Sequence, residues 1–391
     1  MESEEKGLAR AKKIYQDRSQ RVNELKVEGK KIIGFFCTYS PLEMLTGLGM
    51  VPYRIHGDMK ESVTEGDKGL QASFCPILRS CFDLALKSKY DFLDGIIAVH
   101  SCDPQEKAFH VWQSLINYPY FYNLDLPCKT GTAAHKYFRG ELEDFKESLQ
   151  SFTGEQLSHD KLCAAIEIHN QQRFLVRELY ALNRLDSPLI SGVEMIQVIK
   201  SLTSIPVEEG NELLREVISE VKDRKEGLKV KSARVLLWGS TSDDVALVEV
   251  IESVGADVVI DDHCGGSRAY RTDVKHTDDP LDGLAQYYLE ETMCARTFRE
   301  ATPAAIKRDY PVDLESRFGY LRSYLQEWKV NGVILQLVRY CDPFGFEVVN
   351  IKDYFDMLGM PNIYLEHDYS WGALAALRTR IQAFIELISG Y

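Results

Sequence analysis

The chain has 391 residues, 45% hydrophobic and 27% charged, the composition of a folded globular protein and not of a disordered one; such a length suggests two or three domains. With 46 Lys+Arg against 59 Asp+Glu the net charge is -13, which disfavours a nucleic-acid partner, because phosphate binding asks for a basic surface. No apolar run reaches the roughly 18–20 residues that span a bilayer, and the first ten residues are charged and not leader-like, so a cytoplasmic protein with no membrane attachment is expected.

Residues 2–30 are charged and helical in character. Residues 31–37 (KIIGFFC) form a short apolar run, read as a buried strand. A helix is expected over 41–49 and a strand over 51–56. Pro76 opens a helix over 76–87. The run 95–100 (GIIAVH) is another buried strand, 104–115 a helix and 118–124 a strand. Strand–helix alternation of this kind implies an α/β unit with a mainly parallel sheet. From 138 to 225 the pattern is mostly helical, with charges interleaved among apolar residues over 160–182, a loop at 187–192 and an amphipathic helix over 207–222.

A second alternating unit follows. Strands are expected at 234–238, 257–260, 332–338 and 362–366, and helices at 242–254, 281–292, 309–328, 347–358 and 373–388. The expected division is an N-terminal helix (1–30), a first α/β domain (31–150), a helical segment (151–228) and a second α/β domain (229–391). The two units share an order of elements without an obvious sequence repeat.

Nine cysteines remain. An odd number in a large chain without a leader is a poor disulfide framework. Their positions are informative. Cys37 ends a predicted strand, Cys102, Cys264 and Cys341 each follow one, and Cys75 stands directly before Pro76 and a helix. In open α/β sheets ligands bind outside the carboxyl ends of the strands. A helix N-terminus presents free N–H groups that favour a thiolate, the form that attacks or ligates metal. Cys81 and Cys163 fit an inert core role. No C-x-x-C pair exists, so a zinc ribbon or ferredoxin-like site is not expected. There is also no P-loop, no G-x-G-x-x-G after a strand and no G-x-S-x-G. His100, His110 and His263 lie near cysteines but read as satisfied hydrogen-bonding residues. Glu43 is either a buried acid–base group or a helix-opening carboxylate.

These residues resemble the 2-hydroxyacyl-CoA dehydratase and benzoyl-CoA reductase subunit family. The matching stretches are GFFCTYSPLEMLTGLGMVPYRIHGD, SFCPILRSCFDLAL, YDFLDGIIAVHSCD, DDHCGGSR, YCDPFGFE and LRTRIQAFIELI, which span nearly the whole chain. The resemblance implies two Rossmann-like or flavodoxin-like parallel-sheet domains with an oxygen-sensitive iron–sulfur cluster between them. Cys75 (C-P-x-x-[RK]-S), Cys102 (S/T-C-D) and Cys341 (C-D-P) carry over as cluster ligands. It implies a separate ATP-hydrolysing iron–sulfur activator as electron donor, and a paralogous subunit or second copy as partner. The implied substrate is an acyl-CoA thioester, taken through a ketyl radical anion in the family's dehydratases or by aromatic-ring reduction in its reductases.

One branch of the family holds a double-cubane [8Fe-9S] cluster in place of [4Fe-4S] and reduces small molecules. Cys37, Cys264 and Cys294 stand where a second set of three ligands would be needed. The C-D-P and LRTRIQAF stretches look more like the dehydratase and reductase subunits, whereas Cys37 points to the double cubane. A non-catalytic docking subunit is the third possibility. Tyr39 and Glu43 are the candidate catalytic residues. Arg79 and Arg268 are the candidate cofactor-binding residues, Arg268 facing either a CoA phosphate or a carboxylate. Cys81, Cys128 and Cys163 remain ordinary.

Overall fold

The computed structural model describes residues 5–224, 227–241, 244–299 and 309–390. The first part of the chain builds α1 (Gly7–Gln16), α2 (Ser19–Val27), β1 (Ile32–Phe35), α3 (Leu42–Gly47), β2 (Val51–Arg54), α4 (Pro76–Leu86), β3 (Gly95–Val99), α5 (Asp103–Leu115) and β4 (Tyr120–Leu124). Four helices follow, α6 (Thr132–Thr153), α7 (His159–Ala181), α8 (Gly192–Leu202) and α9 (Val207–Lys222). The chain then alternates again through β5 (Ala233–Gly239), α10 (Ala246–Ser253), β6 (Ala256–Asp262), α11 (Pro280–Gln286), α12 (Tyr310–Phe318), α13 (Leu321–Glu327), β7 (Gly332–Val338), α14 (Asp342–Met357), β8 (Asn362–His367) and α15 (Ala373–Ser389).

The strands form two four-stranded sheets, ordered β2-β1-β3-β4 and β6-β5-β7-β8, with every pairing parallel. Each order is the start of the flavodoxin-like arrangement. The winding reverses beside the first strand, and a crevice opens at the carboxyl ends of β1 and β3, and likewise of β5 and β7. The central strands are legible as unbroken apolar runs because helices cover both faces of a parallel sheet: every residue of β1, β3, β5 and β7 is buried. The edge strands β4 and β8 are only partly buried. Pro52 is tolerated in β2 because that strand is also an edge.

The middle helices are held by one-sided burial. On α6, Phe138, Leu142, Phe145 and Leu149 recur at helical spacing and are at most 1% exposed; each such side chain contributes about 1.5–3 kcal/mol on burial. Gly154, at φ 73°, ends α6 in the left-handed region. Ser158 caps α7, and Ser191 with Glu194 forms a capping box on α8. One apolar core runs from Ile33 of β1 through α6–α9 to Leu335 of β7, so the middle helices and both sheets share it.

Several elements differ from the sequence-based expectation. The N-terminal helix is two helices, because the Asp17 carboxylate accepts from the Ser19 N–H (3.1 Å) and hydroxyl (2.7 Å) and starts α2 afresh. The boundary expected at 150/151 falls inside α6. The helix expected from Leu281 turns into a π-helical segment at Tyr287–Glu291. The one expected over 309–328 is broken into α12 and α13. α14 starts five residues earlier than Glu347, at Asp342, with Pro343 in its first turn. Expected ends at Glu2, Lys225 and Ser242 lie outside the described residues.

Candidate functional site

β1, β3, β6 and β7 end at Phe35, Val99, Asp262 and Val338, and Cys37, Cys102, Cys264 and Cys341 follow within two or three residues. Cys75, Cys102 and Cys341 are the N-cap residues of α4, α5 and α14, each with proline in the first turn. Tyr340, just before Cys341, has φ 62°. A bulky residue in the left-handed region is unfavourable by about 1–2 kcal/mol, and here that turn directs the chain from β7 into the cysteine cap.

Cys294 arrives differently. It lies on an irregular strap, residues 292–299, that leaves the π turn and crosses to the first sheet. The strap is fixed by backbone bonds Thr130 N–H to Phe298 (3.2 Å) and Phe298 N–H to Cys128 (2.8 Å). Arg296 donates to the carbonyls of His100 (3.1 Å), Ser101 (3.2 Å), Leu126 (2.8 Å) and Pro127, tying the strap to the carboxyl edge of β3 and β4.

These elements bring Cys37, Cys75, Cys102, Cys264, Cys294 and Cys341 around one chamber of about 110 Å³, with Cys81 also on its wall. None of the nine cysteines is in a disulfide. The remaining wall is apolar (Phe36, Ile55, Ile77, Leu78, Pro343, Phe344) or carries Arg54, Ser101, Gln105, Ser240, Thr241 and Arg296. No carboxylate and no imidazole lines it, so among the described residues its metal-binding donors are thiols, the soft set that suits iron–sulfur clusters, zinc or copper(I). Among the described residues, no group of three or more His, Cys, Asp or Glu is placed to hold a single metal ion. Thiols spread around a chamber suit a polynuclear cluster, in which each cysteine ligates its own iron.

The thiols influence one another across the chamber, and the strongest influences fall within two groups, although Cys37 also acts on Cys102 and Cys294 on Cys341. Among cysteines, Cys102 is acted on most by Cys75, and Cys341 by Cys75 and Cys102. Cys264 hydrogen-bonds Cys294, and Cys37 is acted on by Cys294. Each set, Cys75/Cys102/Cys341 and Cys37/Cys264/Cys294, draws on both sheets. Burial pushes the Cys102 thiol up to about 12, and raises Cys37 and Cys341 too. The expectation that helix N-termini hold these thiols ionised is therefore not met at Cys102 and Cys341: desolvation outweighs the N–H groups of Gln105 and Phe344. Cys294 goes the other way, drawn down to about 6 by the hydrogen bond from Cys264 and by Arg268 and Arg296, against its own burial. Ligation by a metal exchanges such protons for a cation.

The other candidates lie as follows. Arg268 is 1% exposed and ion-paired with Asp262 (2.9 Å), and it donates to Cys264 Sγ at 3.3 Å. Its guanidinium thus faces the Asp262 carboxylate and lies buried. Arg79 faces away from the chamber, bonded to Asp67 at the rim of a separate, polar surface pocket. Glu43 is fully buried, paired with Arg173 and accepting from the Tyr288 hydroxyl at 2.7 Å. Arg173 keeps it ionised in spite of burial. Tyr39 is also fully buried, its hydroxyl 2.7 Å from that of Thr297. Neither Glu43 nor Tyr39 lines the chamber, and neither do His100, His110 and His263.

Arg54 and Arg296 escaped sequence reasoning. Arg54 donates to the Cys264 carbonyl at 2.9 Å. The only local signal was the double glycine after Cys264: a Cβ on Gly265 would lie 3.2 Å from Arg54 Nη1, and one on Gly266 1.9 Å from Asp261 Oδ1.

Fold and site together define a two-sheet α/β protein whose sheets present a shared thiol chamber at their carboxyl edges. Residues 37–388 match the family described as 2-hydroxyglutaryl-CoA dehydratase, D-component, and the chain belongs to this 2-hydroxyacyl-CoA dehydratase and benzoyl-CoA reductase subunit family. It is similar to a benzoyl-CoA reductase subunit of Thauera aromatica, 26% identical over 389 residues and 97% of each chain. It is also similar to the (R)-phenyllactyl-CoA dehydratase beta subunit of Clostridium sporogenes, 25% identical over 362 residues and 92% of each chain.

Proposed function

We propose that this chain is the iron–sulfur subunit of an ATP-activated, low-potential radical enzyme that acts on an acyl-CoA thioester. It works beside a paralogous subunit or a second copy of itself and takes electrons one at a time from a separate ATP-hydrolysing activator. The observation that carries the proposal is the convergence of six cysteines from six separate segments on one chamber. The names of the relatives, a reductase subunit and a dehydratase subunit, both CoA-thioester systems, support the substrate class.

Cys75, Cys102 and Cys341 would hold a cluster, which when bound supplies one-electron transfer and an open iron as Lewis acid. The chain's own residues do the rest. Three helix N-termini position the motif cysteines, Arg296 holds the strap that carries Cys294, and Phe36, Ile55, Ile77, Leu78 and Phe344 give the chamber an apolar wall. A second reading, a double-cubane cluster in a reductase of small molecules, is favoured by one observation: Cys37, Cys264 and Cys294 share the same chamber as the motif cysteines. Iron and sulfide counts on anaerobically purified protein separate the two, about four irons per chain against about eight. Tight binding of an acyl-CoA supports the first reading, and its absence with every acyl-CoA tried, in the presence of the partner subunit, contradicts it.

A further inference from the structure

The two thiol sets face unequal surroundings. On the Cys37/Cys264/Cys294 side, Arg268 Nη1 donates to Cys264 Sγ at 3.3 Å, Arg54 donates to the Cys264 carbonyl at 2.9 Å, and Arg296 lines the wall beside Cys294. Beside Cys102 and Cys341 stand other thiols (Cys37 and Cys294 among them), the backbone N–H of Gln105 and Phe344 and the Asp342 carboxylate, while Arg296 reaches this side at the backbone carbonyls of His100 and Ser101.

Arg268 has little freedom. Its Nε and Nη2 reach the Asp262 carboxylate at 3.2 and 2.9 Å, Nη2 also reaches the Asp262 carbonyl at 2.6 Å, and the Phe344 ring lies 5.1 Å from the guanidinium carbon. The Tyr320 hydroxyl donates to the same carboxylate at 2.7 Å. A desolvated fork held this firmly keeps one N–H directed at sulfur. Hydrogen bonds to ligand sulfur, and positive charge nearby, stabilise the added negative charge of a reduced cluster and so raise its potential.

We propose that Arg268 is a positioning residue that fixes Cys264 through an N–H···S hydrogen bond and makes the Cys37/Cys264/Cys294 side of the chamber the easier side to reduce. The inference rests on the reading that Cys264 ligates a cluster. The test uses full-length, cluster-loaded protein prepared anaerobically, with Ti(III) citrate as the electron donor, iron counting and a redox titration followed by electron paramagnetic resonance. Arg268→Met is expected to keep the wild-type iron content. One midpoint should move to more negative potential by at least a tenfold change in the reduced-to-oxidised ratio, about 59 mV for a one-electron couple. Full iron content with every midpoint unmoved overturns the inference. If Arg268→Met does not fold, Asp262→Asn decides: it removes the charge that balances and holds the guanidinium, so one midpoint should move, and full iron content with every midpoint unmoved overturns the inference. Cys264→Ser separates the two levels. Lost iron or an altered spectrum there leaves the ligand reading standing whatever Arg268 does, whereas full iron and an unaltered spectrum overturn both.

Discussion

Arg296→Ala tests how the chamber is assembled. The substitution removes the donor from four backbone carbonyls, at His100, Ser101, Leu126 and Pro127, and uncovers the Tyr39 ring, whose centroid lies 5.9 Å from the guanidinium carbon. A hydrogen bond from a charged donor contributes about 1.5–3 kcal/mol net. Four bonds from one guanidinium are not independent, and water replaces some of them. The expected loss is therefore about 3–4 kcal/mol of unfolding free energy, well short of the sum. Because Cys294 is two residues away on the same strap, its delivery to the chamber should fail as well. Urea denaturation of the metal-free protein and iron content after anaerobic reconstitution are the two readouts. Arg299→Ala is the control, since among the described residues that arginine bonds the carbonyls of Glu290, Thr292 and Thr297 on the strap's own side. It should cost less stability and leave the iron content intact. An Arg296→Ala protein that unfolds at the wild-type urea concentration and binds as much iron as wild type would refute the idea that this arginine closes the site.

Three further outcomes are expected. Asp262→Ala leaves the fully buried Arg268 without its counter-ion and should destabilise the metal-free protein by about 3–5 kcal/mol; a loss below about 1 kcal/mol in urea would contradict the buried pair. Tyr340→Gly relieves the φ of 62° at a residue that is 47% exposed, so stability should rise by up to about 1 kcal/mol, and a clear loss would show that the ring packs against something that matters. Burial depresses His169 and His367 to about 4. In the window between about 6.5, the ordinary value, and 4 the unfolded chain binds protons that the folded chain refuses, so stability falls as the pH is lowered. Each histidine accounts for up to about 3 kcal/mol over that span. His367→Gln should flatten the urea-midpoint profile in that window, and an unaltered profile would count against it.

The fold was legible because parallel strands covered on both faces must be continuous apolar runs, and GIIAVH, RVLLW and GVILQLV are short enough to be strands and not helices. Cysteines placed just after such runs could be assigned to the carboxyl edge from order alone. What escaped is non-local. The partner of Glu43 is Arg173, 130 residues away in sequence, and nothing near either one announces the pair. Cys294 sits on a strap without periodicity, held by backbone carbonyls of another unit, so only the family resemblance pointed to it. Helix breaks at Asp17 and after Phe318 depend on capping and turn geometry that a 3.6-residue pattern does not register.

The most direct measurement is the iron and acid-labile sulfide content of the anaerobically purified chain, taken for wild type and for single Cys→Ser variants at all nine positions. A thiol chamber that holds a cluster predicts about four irons per chain if the motif set alone is filled, or about eight if both sets are. Iron should be lost in the Cys75, Cys102 and Cys341 variants and retained in the Cys128 and Cys163 variants. A chain that takes up no iron under reconstituting conditions, or loses none in any of the three motif variants, would contradict it.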